Sequence, residues 1–94
     1  AVQIAKQSVD DLMDKELPDD EVSSIKAIIA NHERHLGFHQ LKTRKSGYLR
    51  FIQFHLKMPN AMPLSEAHRI GEDIAIEIRA KLAPAEVLIH HDPT

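Results

Sequence analysis

The sequence predicts an α+β fold, a two-layer sandwich with a three-stranded sheet on one side and two helices on the other. Three observations carry this expectation. Apolar residues recur at intervals of three and four in two stretches, roughly residues 19–32 and 64–82. Two extended runs, 37–44 and 48–58, lie next to each other around Lys45-Ser46-Gly47 and read as a β-hairpin. A short apolar run, Glu86-Val87-Leu88-Ile89, follows the second helical stretch and supplies a third strand. Two helices cannot cover both faces of a three-stranded sheet, so one face is left open to solvent or to a second subunit.

Taken in chain order, Val2, Ile4, Ala5, Val9, Leu12 and Met13 suggest a helical lead-in ending near Leu17-Pro18. Residues 1–17 are accordingly read as a lead-in or linker and 18–94 as the domain proper. After Pro18, the acids Asp19, Asp20 and Glu21 oppose the positive end of a helix dipole and mark a helix start. Val22, Ile25 and Ile28 or Ile29 form the stripe of that helix. In the second extended run, Tyr48, Ile52, Phe54 and Leu56 share one face with Arg50 and read as core. Leu49, Phe51, Gln53, His55 and Lys57 share the other. Pro59-Asn60 and Pro63 break the chain before a long helix over Leu64–Leu82, whose stripe is Ala67, Ile70 or Gly71, Ile74, Ile78 and Leu82. Ala83-Pro84 ends it. The order α-β-β-α-β behind a lead-in is that of a ferredoxin-like sandwich.

Composition excludes several classes. The chain has 94 residues, enough for one domain, and a net charge of −2 with acids and bases interspersed. That balance gives no electrostatic footprint for nucleic acid, and the nearest basic patch, Lys42, Arg44, Lys45 and Arg50, reads as a solvated hairpin tip. No apolar run approaches the roughly 20 residues that cross a bilayer. No signal-peptide pattern opens the chain, which begins instead with a helical stretch as though cut from something longer. Without cysteine, a metal site must use nitrogen and oxygen ligands. No nucleophilic triad or phosphate loop is suggested, and Asn31-His32-Glu33-Arg34-His35 spaces its histidines three apart rather than the four of a zinc-protease helix, so no enzyme is expected.

Histidine is the notable residue, with seven, at positions 32, 35, 39, 55, 68, 90 and 91. A lone histidine usually reads as a surface residue or a satisfied core one, and His32 and His35 are expected to be ordinary surface residues of the helix-to-strand turn. His39 and His55 lie on the two hairpin arms. A three-residue loop spanning Ser46, Gly47 and Tyr48 would set them opposite each other, with Cβ atoms about 5 Å apart. A two-residue loop would put them on opposite faces. His90, His91 and Asp92 end the last strand, where alternation is expected to give way so that neighbouring side chains converge. A carboxylate two residues after a histidine is a common nitrogen and oxygen pair for zinc, manganese or ferrous iron. His68, on the first turns of the second helix, is placed near one rim of the sheet.

Asp11-Leu12-Met13-Asp14 with Leu17-Pro18-Asp19, Arg44-Lys45-Ser46-Gly47, Arg50-Phe51-Ile52-Gln53-Phe54-His55-Leu56, Ala67-His68 and Val87-Leu88-Ile89-His90-His91-Asp92-Pro93 together carry a family likeness. Over nearly its whole length the chain resembles the cytoplasmic C-terminal domain of cation diffusion facilitator transporters, especially the bacterial zinc and ferrous-iron efflux branch. The resemblance implies a metallochaperone-like fold and a homodimer joined to its own transmembrane domain at the inner membrane, with no nucleic acid and no small-molecule substrate as partners. It implies a divalent-metal site where the subunits meet, for Zn2+ first, with Fe2+, Cd2+, Mn2+ and Co2+ compatible. The implied ligands are His39, His55, His68, His90 and Asp92, the aspartate bridging two ions. Relatives often carry glutamine at position 91, so His91 is a departure that either adds a ligand or sits nearby. Asp14 matches an acid that ties the lead-in to the membrane helices. The competing expectation is a free-standing metallochaperone-like or small-molecule-binding module of the same fold. The bare apolar face of the lead-in and the lack of a cysteine pair speak against it.

Overall fold

The computed structural model describes residues 15–93. Residues 1–14 of the expected lead-in helix, Asp14 among them, lie outside the described residues; its expected last residues, 15–17, are not helical, and Lys15 instead bridges to Lys45 of the hairpin. The elements follow the expected order: α1 (Asp19–Asn31), β1 (Phe38–Ser46), β2 (Leu49–Met58), α2 (Leu64–Leu82) and β3 (Ala85–Pro93). Strand β2 is central, antiparallel to β1 and parallel to β3.

Both helices begin directly after a proline, Pro18 for α1 and Pro63 for α2, whose fixed φ starts a helix without losing a needed N–H. Helix α1 carries Asp19, Asp20 and Glu21 in its first turn and buries Ile25 and Ile29. Helix α2 buries Ala67, Ile70, Gly71, Ile74, Ala75, Ile78 and Leu82, the expected stripe with both Ile70 and Gly71 in it and Ala75 added. Both stripes pack on the same face of the sheet, against Ile52, Phe54, Leu56 and Met58 of β2. Phe38 of β1 meets Phe54 edge-on with centroids 6.5 Å apart. Complete removal of side chains such as Phe54 from water is the main stabilising term of so small a domain.

Arg50 closes one end of this core. Its Nε donates to Glu21 Oε1 at 2.7 Å, one terminal nitrogen donates to Glu21 Oε2 at 3.3 Å, and the other donates to the Leu82 carbonyl at 3.2 Å. One guanidinium thereby joins the first turn of α1, the start of β2 and the end of α2. Before α1, Lys15 and Lys45 exchange backbone hydrogen bonds of 3.3 and 2.6 Å, the Leu17 N–H donates to Thr43 Oγ1, and the Leu17 side chain is buried.

Three sequence expectations are corrected. Tyr48, assigned to the core face, is 79% exposed, because it occupies the hairpin turn where strand alternation has not begun. The last strand spans nine residues rather than four, since its pairing with β2 continues from Arg50↔Ala85 to Met58↔Pro93. His35 is half-buried and structural: its Nε2 donates to the Ile29 carbonyl at 2.7 Å and its Nδ1 accepts from the Gly37 N–H at 2.9 Å. Those two bonds define its tautomer and hold the α1–β1 turn.

Candidate metal centre

The open face of the sheet is built by alternation. On β2 the core residues Ile52, Phe54, Leu56 and Met58 are separated by Gln53, His55 and Lys57, which point the other way. Because β3 runs parallel to β2 with His55 paired to His90, His90 and Asp92 share that open face. Ile89 and His91 necessarily turn toward the helices.

His39 reaches the same face by a less direct route. The hairpin turn has two residues, Gly47 and Tyr48, with Ser46 paired to Leu49. Continued without interruption, that ladder would set Leu56, not His55, opposite His39. A register shift between His39 and Lys42 moves the pairing by one residue, and His39 stands opposite His55. Gln40, at φ 55, adopts the left-handed conformation within this bulge. Both parts of the expectation therefore bear on the outcome: the loop is the two-residue one, and the bulge restores the pairing that a three-residue loop would have given.

The resulting cluster is close-set. His55 Nδ1 lies 3.0 Å from Asp92 Oδ2, and His39 Nε2 lies 3.4 Å from the same oxygen. One ligand atom from each of His39, His55 and Asp92 falls within 4.8 Å of the others. The His39 ring stacks on His55 at 5.1 Å between centroids, and the His90 ring stacks on the other side of His55 at 4.6 Å. His39 Nδ1 is buried without a hydrogen-bond partner among the described residues. Ligand atoms bound at about 2.0–2.2 Å around one tetrahedral ion lie roughly 3.3–3.5 Å apart, so this set needs only small side-chain rotations to close on one. Imidazole nitrogen with carboxylate oxygen is a donor set suited to zinc and its neighbours in the first transition row.

His68 and His91 are not brought into this cluster. His91 lies on the helix-facing side of β3, with its ring against α2 at Gly71. The expected convergence of His90 and His91 fails because the strand persists through Pro93 and alternation persists with it. Burial, with the His68 ring nearby, lowers the His91 pKa; Asp92 opposes that shift only in part. His68 is exposed on the first turns of α2. The bulge at Gln40 and the bare helix surface at Gly71 are the two contributors that sequence reasoning missed. A glycine in the middle of a helical stripe was the available signal for the second; no local signal marks the first.

A ferredoxin-like sandwich that carries three stacked imidazoles and a carboxylate on its uncovered sheet face defines a class, the metal-binding α+β domains. Within it the chain belongs to the cation efflux proteins: residues 17–94 match the family described as "Cation efflux protein, cytoplasmic domain". The cation-efflux pump FieF of Pectobacterium atrosepticum is 42% identical over 93 residues, which cover 99% of this chain and 31% of the relative. The Yersinia pestis (strain Pestoides F) FieF protein is likewise 42% identical over 93 residues. The chain thus spans about a third of the length of the curated relatives it matches, 31% in each case, and these are pumps rather than enzymes. Among solved structures, CzrB in its zinc form is 34% identical with a TM-score of 0.74, covering 86% of this chain and 93% of that one. The metal-bound C-terminal domain of CzcD from Thermotoga maritima shares the fold, with a TM-score of 0.74 at 24% identity over 79% of this chain and 87% of its own. Among the described residues no helix is long and apolar enough to cross a membrane.

Proposed function

We propose that this chain is the regulatory cytoplasmic domain of a divalent-cation efflux transporter, binding metal between two copies of itself and thereby stabilising a closed homodimer. In this reading residues 18–94 bind metal and dimerise, and residues 1–17 connect to the membrane domain, with Asp14 in charge contact with it. The observation that carries the proposal is the grouping of His39, His55 and Asp92 within 4.8 Å on the open face, with His90 stacked beside them. The relatives named as cation-efflux pumps and the solved CzrB zinc form agree with it.

His39, His55, His90 and Asp92 hold the metal, most suitably Zn2+, with Fe2+, Cd2+, Mn2+ and Co2+ accommodated by the same donors. His68, on the first turns of α2 and outside this cluster, is the fifth proposed ligand, supplied across the dimer from the rim of the second subunit. An ion bound there supplies positive charge to a surface whose carboxylate would otherwise oppose its counterpart across the dimer. Metal binding is then worth more to the closed arrangement than to the open one, and population shifts toward closure. Closure would pass to the membrane domain through residues 1–17, while transport itself is the task of residues outside this domain.

The test is zinc titration calorimetry with sedimentation analysis on the wild type and on a His55→Ala, Asp92→Ala double variant. The wild type should bind zinc and gain dimer, and the double variant should do neither. Equal zinc binding by both would falsify the site, and zinc binding without any change in mass or shape would remove the closure.

A further inference from the structure

Gly71 sits in the middle of the 19-residue helix α2, where glycine is a poor helix former compared with alanine. The neighbouring strand supplies a local reason for it. A Cβ placed on Gly71 would fall 2.8 Å from Cε1 and 3.0 Å from Nε2 of His91, closer than carbon atoms tolerate. The His91 ring therefore rests on bare helix backbone, and its Nδ1 is buried without a hydrogen-bond partner among the described residues. Packing, not hydrogen bonding, is what locates it. His91 is flanked in sequence by His90 and Asp92, which project from the opposite face of the same strand into the metal centre. That end of β3 is held on one side only, through its ladder to β2. A change in the spacing between β3 and α2 at this point is carried directly to His90 and Asp92, the two neighbours of His91 on the strand.

We propose that His91 is a positioning residue for the metal centre: its ring, seated on Gly71, sets the spacing between α2 and the ligand-bearing end of β3. The proposal rests on the metal-binding reading above. It assigns His91 a role without coordination, and makes Gly71 the partner that the role requires.

Zinc calorimetry and thermal unfolding of the metal-free protein test it on the wild type, Gly71→Ala, His91→Ala and the double variant. Gly71→Ala leaves every candidate ligand in place, yet should weaken zinc binding about tenfold, the usual scale for groups that orient ligands. His91→Ala should weaken it by about tenfold, the lower end of the same scale. The double variant should recover toward the wild type, because the new methyl group fills part of the vacated seat. Wild-type affinity in Gly71→Ala overturns the proposal, since the ring then yields without consequence. If Gly71→Ala shows no cooperative unfolding, the decision passes to the double variant. Binding tighter than His91→Ala supports positioning, and binding no tighter overturns it. Absence of zinc binding in the wild type overturns the metal centre itself and this role with it, a pattern distinct from failure of the variants alone.

Discussion

His39 stands directly opposite His55, with ring centroids 5.1 Å apart, across a hairpin whose own turn would have set Leu56 there. The pairing is reached through a bulge at Gln40, which takes a left-handed backbone conformation at φ 55. That conformation costs a non-glycine residue about 1 kcal/mol. Gln40→Gly should therefore raise stability by up to about 1 kcal/mol, a melting temperature gain of roughly 4–8 °C, with zinc affinity unchanged. Deleting Gln40 should likewise keep zinc binding, because the ladder then runs without a bulge from Lys42 opposite Gln53 to His39 opposite His55, on the same open face. Thermal unfolding and calorimetry on the two variants check both outcomes.

Asp92 is the hub of the cluster, within 3.4 Å of ring nitrogens of both His39 and His55. Asp92→Asn keeps its size and removes its charge. Zinc affinity, read by competition with a chromophoric chelator, should fall roughly 100-fold, as expected when a charged ligand is neutralised. Metal-free stability should change little, because Asp92 is partly exposed and buries no apolar surface. A collapse of the metal-free fold would show that Asp92 is structural instead.

The ion pair between Glu21 and Arg50 supplies a pH dependence. The hydrogen bonds from Arg50, and its charge, hold the Glu21 carboxyl below its ordinary value of 4.5. A carboxyl depressed in the folded state stabilises the fold above its unfolded value and loses that contribution as pH falls through the folded one. The metal-free domain should thus lose stability as pH drops below about 4.5, and Glu21→Gln should flatten the curve in that window while costing about 1 kcal/mol near neutrality. Urea unfolding at a series of pH values gives both numbers.

Phe54 is fully buried beneath both helices and meets Phe38 edge-on. Phe54→Ala should cost about 3–5 kcal/mol, a large share of the stability of a domain this size. Chemical denaturation should show a midpoint near zero denaturant, or no folded baseline at all.

The architecture was legible because each helix writes its buried stripe at a helical period and β2 alternates core and open positions along its length. The length of β3 was not. Apolar residues mark only its first half, and its pairing through His91, Asp92 and Pro93 depends on β2 lying alongside. The same gap explains the misjudged pair at the end of the chain: once the strand continues, His90 and His91 must face apart. The association of His39 with His55 was readable only as one of two registers, since a bulge is selected by tertiary packing rather than by the residues that form it. His35 looked like a surface residue because its two partners are backbone groups, which leave no trace in sequence.

The margins of the sheet have a consequence of their own. Lys15 already occupies hydrogen-bonding positions at one end of the free side of β1, and the distortion at Gln40 spoils the other end. Lys42 and Arg44 line the stretch between, and β3 finishes on Pro93, which has no N–H to offer. The β1 border is a poor template for a fourth strand, whether from another copy or from a partly unfolded one, and Pro93 blocks the last position of the β3 border. Fibrillar growth by addition at the β1 edge is thereby opposed, and in the reading proposed above self-association would use the broad surface that bears the histidines.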